Sequence, residues 1–202
     1  MTLLYLIRHA RSTWNAENRM QGQADPPLDD LGRAQARALA ERLKGETFHA
    51  IYSSPLARAR ETAEIVAAYH DIPLLFDDRL KERDLGEWTG WTGNEVDEWV
   101  TAQPDYNWRL HGPPGGESRA EIIARAAAVF AEIIPAHSED TVMVMSHGGL
   151  LSACLAQLLG APPDKFVSFA FPNTGVARVN VSDGYVRLLG LEAKHLENPK
   201  SQ

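Results

Sequence analysis

Leu3-Leu4-Tyr5-Leu6-Ile7-Arg8-His9 opens the chain, and Val142-Met143-Val144-Met145-Ser146-His147-Gly148-Gly149 answers it far downstream. Each stretch is a short apolar run of strand length that ends on a histidine. In open α/β sheets ligands bind beyond the carboxyl ends of the strands, so two such ends aim two imidazoles into one crevice. A lone histidine after a strand is also a common structural residue, and either stretch by itself leaves both readings open. The guanidinium of Arg8 beside the first imidazole points to an anionic target, because arginine matches phosphate oxygens with a fixed fork of donors. Histidine can act as a covalent nucleophile, so the pair reads as phosphoryl chemistry through a phosphohistidine.

Working outward, Leu31 to Leu43 has the spacing of an amphipathic helix, and Ala50 to Ser53 reads as the next strand. Ser54-Pro55 then starts a helix from about Leu56 to Tyr69, which puts Arg58 in its first turn, at the positive end of the helix dipole. Ile72 to Phe76 is a short strand, Ser118 to Ile134 a helix, and Val142 to Met145 a central strand feeding a helix that ends near Leu159. Val176 to Val181 and Tyr185 to Leu189 form a hairpin around Ser182-Asp183-Gly184. The alternation predicts a three-layer α/β/α sandwich with a mostly parallel central sheet and an antiparallel edge strand.

The 202 residues suit one domain, spanning 1–202, with a cap-like insertion around 83–118 that carries Trp88, Trp91, Trp99, Tyr106 and Trp108. These aromatics read equally as pocket cover or as core. Gly112-Pro113-Pro114-Gly115-Gly116 reads as a loop. A net charge of -7 argues against nucleic acid or an anionic membrane as partner. The single cysteine, Cys154, lies in an apolar stretch and fits a reducing cytoplasm. No run is long enough to span a membrane and no leader peptide is visible. No histidine and carboxylate cluster has ligand spacing, so no metal and no cofactor are expected.

Further fragments sit between the two histidines: Arg8-His9-Ala10-Arg11-Ser12-Thr13-Trp14-Asn15, Arg19-Met20-Gln21-Gly22, Ser53-Ser54-Pro55-Leu56-Ala57-Arg58-Ala59, Leu80-Lys81-Glu82, Gly86-Glu87-Trp88-Thr89-Gly90 and Pro114-Gly115-Gly116-Glu117-Ser118. With Ser146-His147-Gly148-Gly149 they resemble, in order, the histidine phosphatase superfamily in its phosphoglycerate-mutase-like branch, from about Leu3 to Asn173. The resemblance implies that His9 is the phosphorylated residue, that Arg8, Arg58 and His147 surround the phosphoryl oxygens, and that Glu82 is the acid that protonates the leaving group. Asn15, Gln21, Gly22 and Gly148 are the further candidates for the phosphate or the near part of the substrate, with loop capping the competing reading for Asn15 and Gln21.

Two positions depart from the family pattern. Ala10 stands where a glycine is usual, which implies an ordinary backbone there. Arg11 stands where an acid or glutamine is usual. It either adds a cation at the pocket mouth or points to solvent. The cofactor-dependent mutases of the family continue after the acid with a His-Tyr-Gly run and basic residues, whereas this chain reads Asp84-Leu85-Gly86. The resemblance therefore favours a phosphomonoester hydrolase acting on small phosphorylated metabolites, with a homodimer compatible. The alternatives are a phosphoglycerate mutase or related phosphotransferase, and a silent phospholigand-binding member, against which His9, Arg58, Glu82 and His147 are all present.

Overall fold

A computed structural model describes residues 1–162 and 165–192. Its six-stranded sheet has the order β3-β2-β4-β1-β5-β6, from β1 (Thr2–Arg8), β2 (Ala50–Ser53), β3 (Leu74–Phe76), β4 (Thr141–Ser146), β5 (Val176–Ser182) and β6 (Tyr185–Glu192). The first four run parallel, and β5 and β6 close one side as an antiparallel hairpin. The antiparallel edge is thus a strand pair, with β5 inside and β6 at the rim.

Alternation along the central strands builds two cores. On one face Leu4, Leu6, Val142 and Val144 pack beneath α6 (Arg119–Ala136) and α7 (Gly148–Leu158), with Phe130 and Leu151 buried between. On the other face Tyr5, Ile7, Met143 and Met145 meet Leu39 and Leu43 of α2 (Asp30–Leu43) and Ala59, Ala63 and Val66 of α3 (Ala57–Ala67). Each buried aliphatic side chain contributes roughly 1.5–3 kcal/mol, so this double-sided burial fixes the register.

The register places the site. Arg8 on β1 pairs with Ser146 on β4, and Ser53 on β2 pairs with Met145 on the other side of β4. The next residues, His9, His147 and Ser54, therefore leave three adjacent strand ends side by side. Helices α1 (Thr13–Ala16), α4 (Gly93–Ala102) and α5 (Trp108–His111) were not expected from the sequence. Both α1 and α4 begin on capping boxes, Ser12 with Asn15 and Thr92 with Glu95. The strand expected from Ile72 starts only at Leu74, and the helix expected to Tyr69 ends at Ala67.

Candidate active site

The two imidazoles face each other with ring centroids 5.0 Å apart, and both are almost fully buried. His9 Nδ1 lies 2.7 Å from the carbonyl oxygen of Ala10, so this nitrogen carries the proton and donates it. Nε2 accepts from Arg58 Nε at 3.3 Å, which leaves the nucleophilic lone pair on the nitrogen that faces the cleft. Burial, then Arg58 and Arg8, hold the imidazole well below the usual histidine range, so it is neutral at physiological pH. Ala10 is not among the positive-φ residues, as expected, and its N–H donates to Thr62 at 3.1 Å.

His147 Nε2 lies 2.8 Å from Ser54 Oγ, which also accepts from Leu56 N–H at 3.3 Å. A serine hydroxyl carries one proton and two lone pairs, so it partners either tautomer of the ring. Nδ1 is buried without a hydrogen-bond partner. Burial, followed by Arg58, His9 and Arg8, keeps this ring neutral as well. His9 thus carries its unprotonated nitrogen at Nε2, and His147 keeps an unpartnered Nδ1.

The two arginines are seated before any ligand arrives. Arg58 donates to the carbonyls of Ala24 and Gly22 at 2.7 and 2.8 Å, and burial pushes it down to about 10, still charged at neutral pH. Arg8 donates Nη1 to Phe171 at 2.7 Å and keeps a buried Nε with no partner. Unpaired donors held in a dry pocket are pre-arranged for an oxyanion.

Glu82 lies at the amino terminus of α7. Its Oε2 accepts from Gly149 N–H at 3.1 Å, and Oε1 accepts from Leu150 N–H at 3.1 Å and from Arg83 N–H at 2.8 Å. Oε1 is saturated, whereas Oε2 retains a lone pair to carry a proton. Behind it, Arg125 forms a two-pronged pair with Glu117, 2.7 and 2.6 Å, and donates to the carbonyls of Arg79, Lys81 and Glu82. Glu117 also accepts from Asp84 N–H at 2.9 Å. This brace holds the backbone at Glu82. The sequence reading missed it, because residues 43 positions apart carry no local signal.

Asn15 Oδ1 accepts from Ser12 N–H and from Asn173 Nδ2, so its oxygen caps α1 while its amide nitrogen is left for the cleft. Gln21 Oε1 accepts from Ser12 Oγ at 2.7 Å. Gly22 has a φ of +49°, a backbone that glycine adopts without strain, and orients the carbonyl that holds Arg58. Gly148 packs against Arg8. Arg11 follows neither reading: it pairs with Asp29 at 2.7 Å, largely buried and away from the cleft.

Arg8, His9, Asn15, Gln21, Gly22, Arg58, Glu82 and Gly148 all line one cleft of about 470 Å³. Trp88, fully buried, and Trp108 form part of its wall, and the half-buried Trp99 and Tyr106 stack behind them edge to face. Among the described residues there is no cluster of three or more histidine, cysteine or acidic side chains able to hold a metal, and no helix is long and apolar enough to cross a membrane.

A family model for the histidine phosphatase superfamily (branch 1) matches residues 4–194, and the chain belongs to that superfamily. Within it the chain is an enzyme of the phosphoglycerate-mutase-like type. It is 38% identical over 175 residues to a glucosyl-3-phosphoglycerate phosphatase of Mycolicibacterium vanbaalenii, covering 81% of this chain and 76% of the relative. It is 35% identical over 191 residues to phosphoserine phosphatase 1 of Hydrogenobacter thermophilus, covering 91% and 88%. A probable phosphoglycerate mutase of Salmonella choleraesuis is 30% identical, covering 98% and 97%. The solved structure of mycobacterial glucosyl-3-phosphoglycerate phosphatase with vanadate (VO3) superposes with a TM-score of 0.82 at 30% identity, covering 93% of this chain and 97% of that one.

Proposed function

We propose that this protein hydrolyses small phosphomonoesters through a phosphohistidine at His9. The observation that carries the reading is the His9 hydrogen-bond pair: Nδ1 donates to Ala10, and the Nε2 lone pair accepts from Arg58 Nε at a long 3.3 Å, a contact that an incoming phosphoryl group replaces. Nε2 attacks phosphorus as the bond to the alkoxide oxygen breaks, and Glu82 Oε2 gives that oxygen its proton. Arg8, Arg58 and His147 hold the equatorial oxygens, the role a metal ion plays in other phosphoryl-transfer sites. Water then attacks the phosphohistidine, Glu82 takes a proton from it, and inorganic phosphate leaves with His9 neutral again.

The segment 83–118 serves as the cap over this cleft, and the chain works as a single domain. The net charge of -7 sets it against nucleic acid as a partner. A lone cysteine, Cys154, buried and free, leaves the chain without an internal disulfide, which fits a cytoplasmic enzyme. Size-exclusion chromatography tests a homodimer.

Rapid quench with radiolabelled substrate tests the mechanism: acid-labile, base-stable phosphate maps to His9 and then appears as inorganic phosphate. Full turnover by His9→Ala overturns it. Transfer of the label to a second phosphate acceptor in place of water supports the mutase reading instead.

A further inference from the structure

Arg119 breaks three rules of charge placement at once. It is buried, 6% exposed, yet among the described residues no carboxylate pairs with it. Its Nη2 reaches only the carbonyl of Val167 at a long 3.3 Å, and its Nε is buried without a partner. It also occupies the first position of α6, an 18-residue helix whose positive end repels a cation. Arg83 lies near enough to be disfavoured by it, and it too has a buried guanidinium nitrogen, Nη2, without a partner. Burial alone drives the Arg119 guanidinium below the usual arginine range. A folded chain keeps such an arrangement where an anion completes it.

The position says which anion. Arg119 and Arg83 line the same cleft as His9, and the ring of Phe166, 4.9 Å from the Arg119 guanidinium carbon, holds that fork against the wall. Unlike Arg8 and Arg58, which both feel the negative field of Glu82, Arg119 has no acid among the described residues to offset it. We infer that Arg119, helped by Arg83, forms a second anion-binding subsite, and that the substrate is a small phosphomonoester carrying a further anionic group. This rests on the hydrolase reading above and specifies its substrate class.

The test compares glycerol 3-phosphate, which lacks a second anion, with 3-phosphoglycerate, which carries a carboxylate, and with the bisphosphate of 1,3-propanediol. The native protein prefers one or both doubly anionic compounds, and which one identifies the anion. Arg119→Gln lowers that preference, taken as the ratio of kcat/KM values to that for glycerol 3-phosphate, by about ten- to a hundredfold, the range for a lost charged hydrogen bond. The loss falls mainly on KM, and Arg119→Lys recovers part of it. A ratio that stays within twofold in Arg119→Gln overturns the subsite. Titration calorimetry of the three ligands on His9→Ala and on the same protein with Arg119→Gln reads binding without turnover. If native protein releases no phosphate but calorimetry shows the Arg119-dependent preference, the hydrolase reading fails and the subsite stands. If phosphate is released and calorimetry shows no preference, the subsite alone fails.

Discussion

Gly149 and Glu82 are fitted to each other. The glycine's N–H donates to Oε2 at 3.1 Å, and a Cβ at that position would lie 2.5 Å from Oε1 and 3.2 Å from Cδ. The second glycine of Gly148-Gly149 therefore leaves the space that the Glu82 carboxylate fills. At Gly148 a Cβ would make ordinary contact with Arg8 at 3.6 Å.

Gly149→Ala should displace the carboxylate while leaving both histidines and both arginines in place. The expected loss is on alkyl phosphates, roughly 10²-fold or more, as when a general acid is removed. Gly148→Ala should cost less. Parallel kcat/KM measurements on the two variants check this, and equal losses would count against the fit.

Glu82→Gln tests the acid itself. An amide cannot donate a carboxylic proton, and its NH2 would face one of the backbone N–H donors that now meet Oε1 and Oε2. Phosphoenzyme formation from alkyl phosphates should fall by roughly 10²–10⁴, whereas p-nitrophenyl phosphate, whose leaving group departs almost unaided, should lose far less. Single-turnover kinetics separate the two. Equal losses would mean that Glu82 positions the phosphate and does not protonate the leaving group.

The sequence showed which side chains are present but not how they are held. Leu3 to Ile7 and Ala50 to Ser53 read as strands because unbroken apolar runs have little choice when both faces are covered. The residues 93–102 carry Val96, Trp99 and Val100 at helical spacing behind the Thr92 to Glu95 capping box, a signal masked because the aromatics of this stretch read as pocket cover or core. His9, Arg58, Glu82 and His147 stood out as motif positions. Ser54 stood inside a motif without a role, because its partnership with His147 spans 93 positions and comes from strand register. Glu117 likewise stood inside Pro114-Gly115-Gly116-Glu117-Ser118 without a role, and Arg125 and Arg119 carried no motif.

Arg125 should be the costliest single change outside the reacting groups. Its guanidinium serves Glu117 and three backbone carbonyls, with only 18% of the side chain exposed. Arg125→Met strands the Glu117 carboxylate and should cost roughly 3 kcal/mol, the lower end for breaking a buried pair. In a chain of this length that lowers Tm by roughly 6–12 °C. Arg125→Lys should rescue little, since one ammonium cannot replace the fork. Thermal denaturation checks the stability, and the alkyl-to-aryl activity ratio shows whether the acid has moved with its brace.

Stability should also fall as the solution is acidified through the histidine range. His9 and His147 are held neutral when folded, with burial the largest cause, and the nearby arginines add to it. In the unfolded chain both titrate near 6.5. Below that pH the unfolded state binds protons that the folded state refuses, so unfolding is favoured as pH drops, and the stabilisation is fully present above it. Each histidine contributes a slope of about 1.4 kcal/mol per pH unit, roughly 2.7 for the two together, once pH is well under 6.5. Asp77, held low by its hydrogen bond to Arg79, acts only below about 4, whereas His70, lowered less far by burial, adds a smaller part to the slope in the same window. Urea unfolding between pH 7.5 and 5, in a buffer free of phosphate, measures the slope. His147→Asn should remove about half of it, and a stability flat across that range would show that both rings protonate in place.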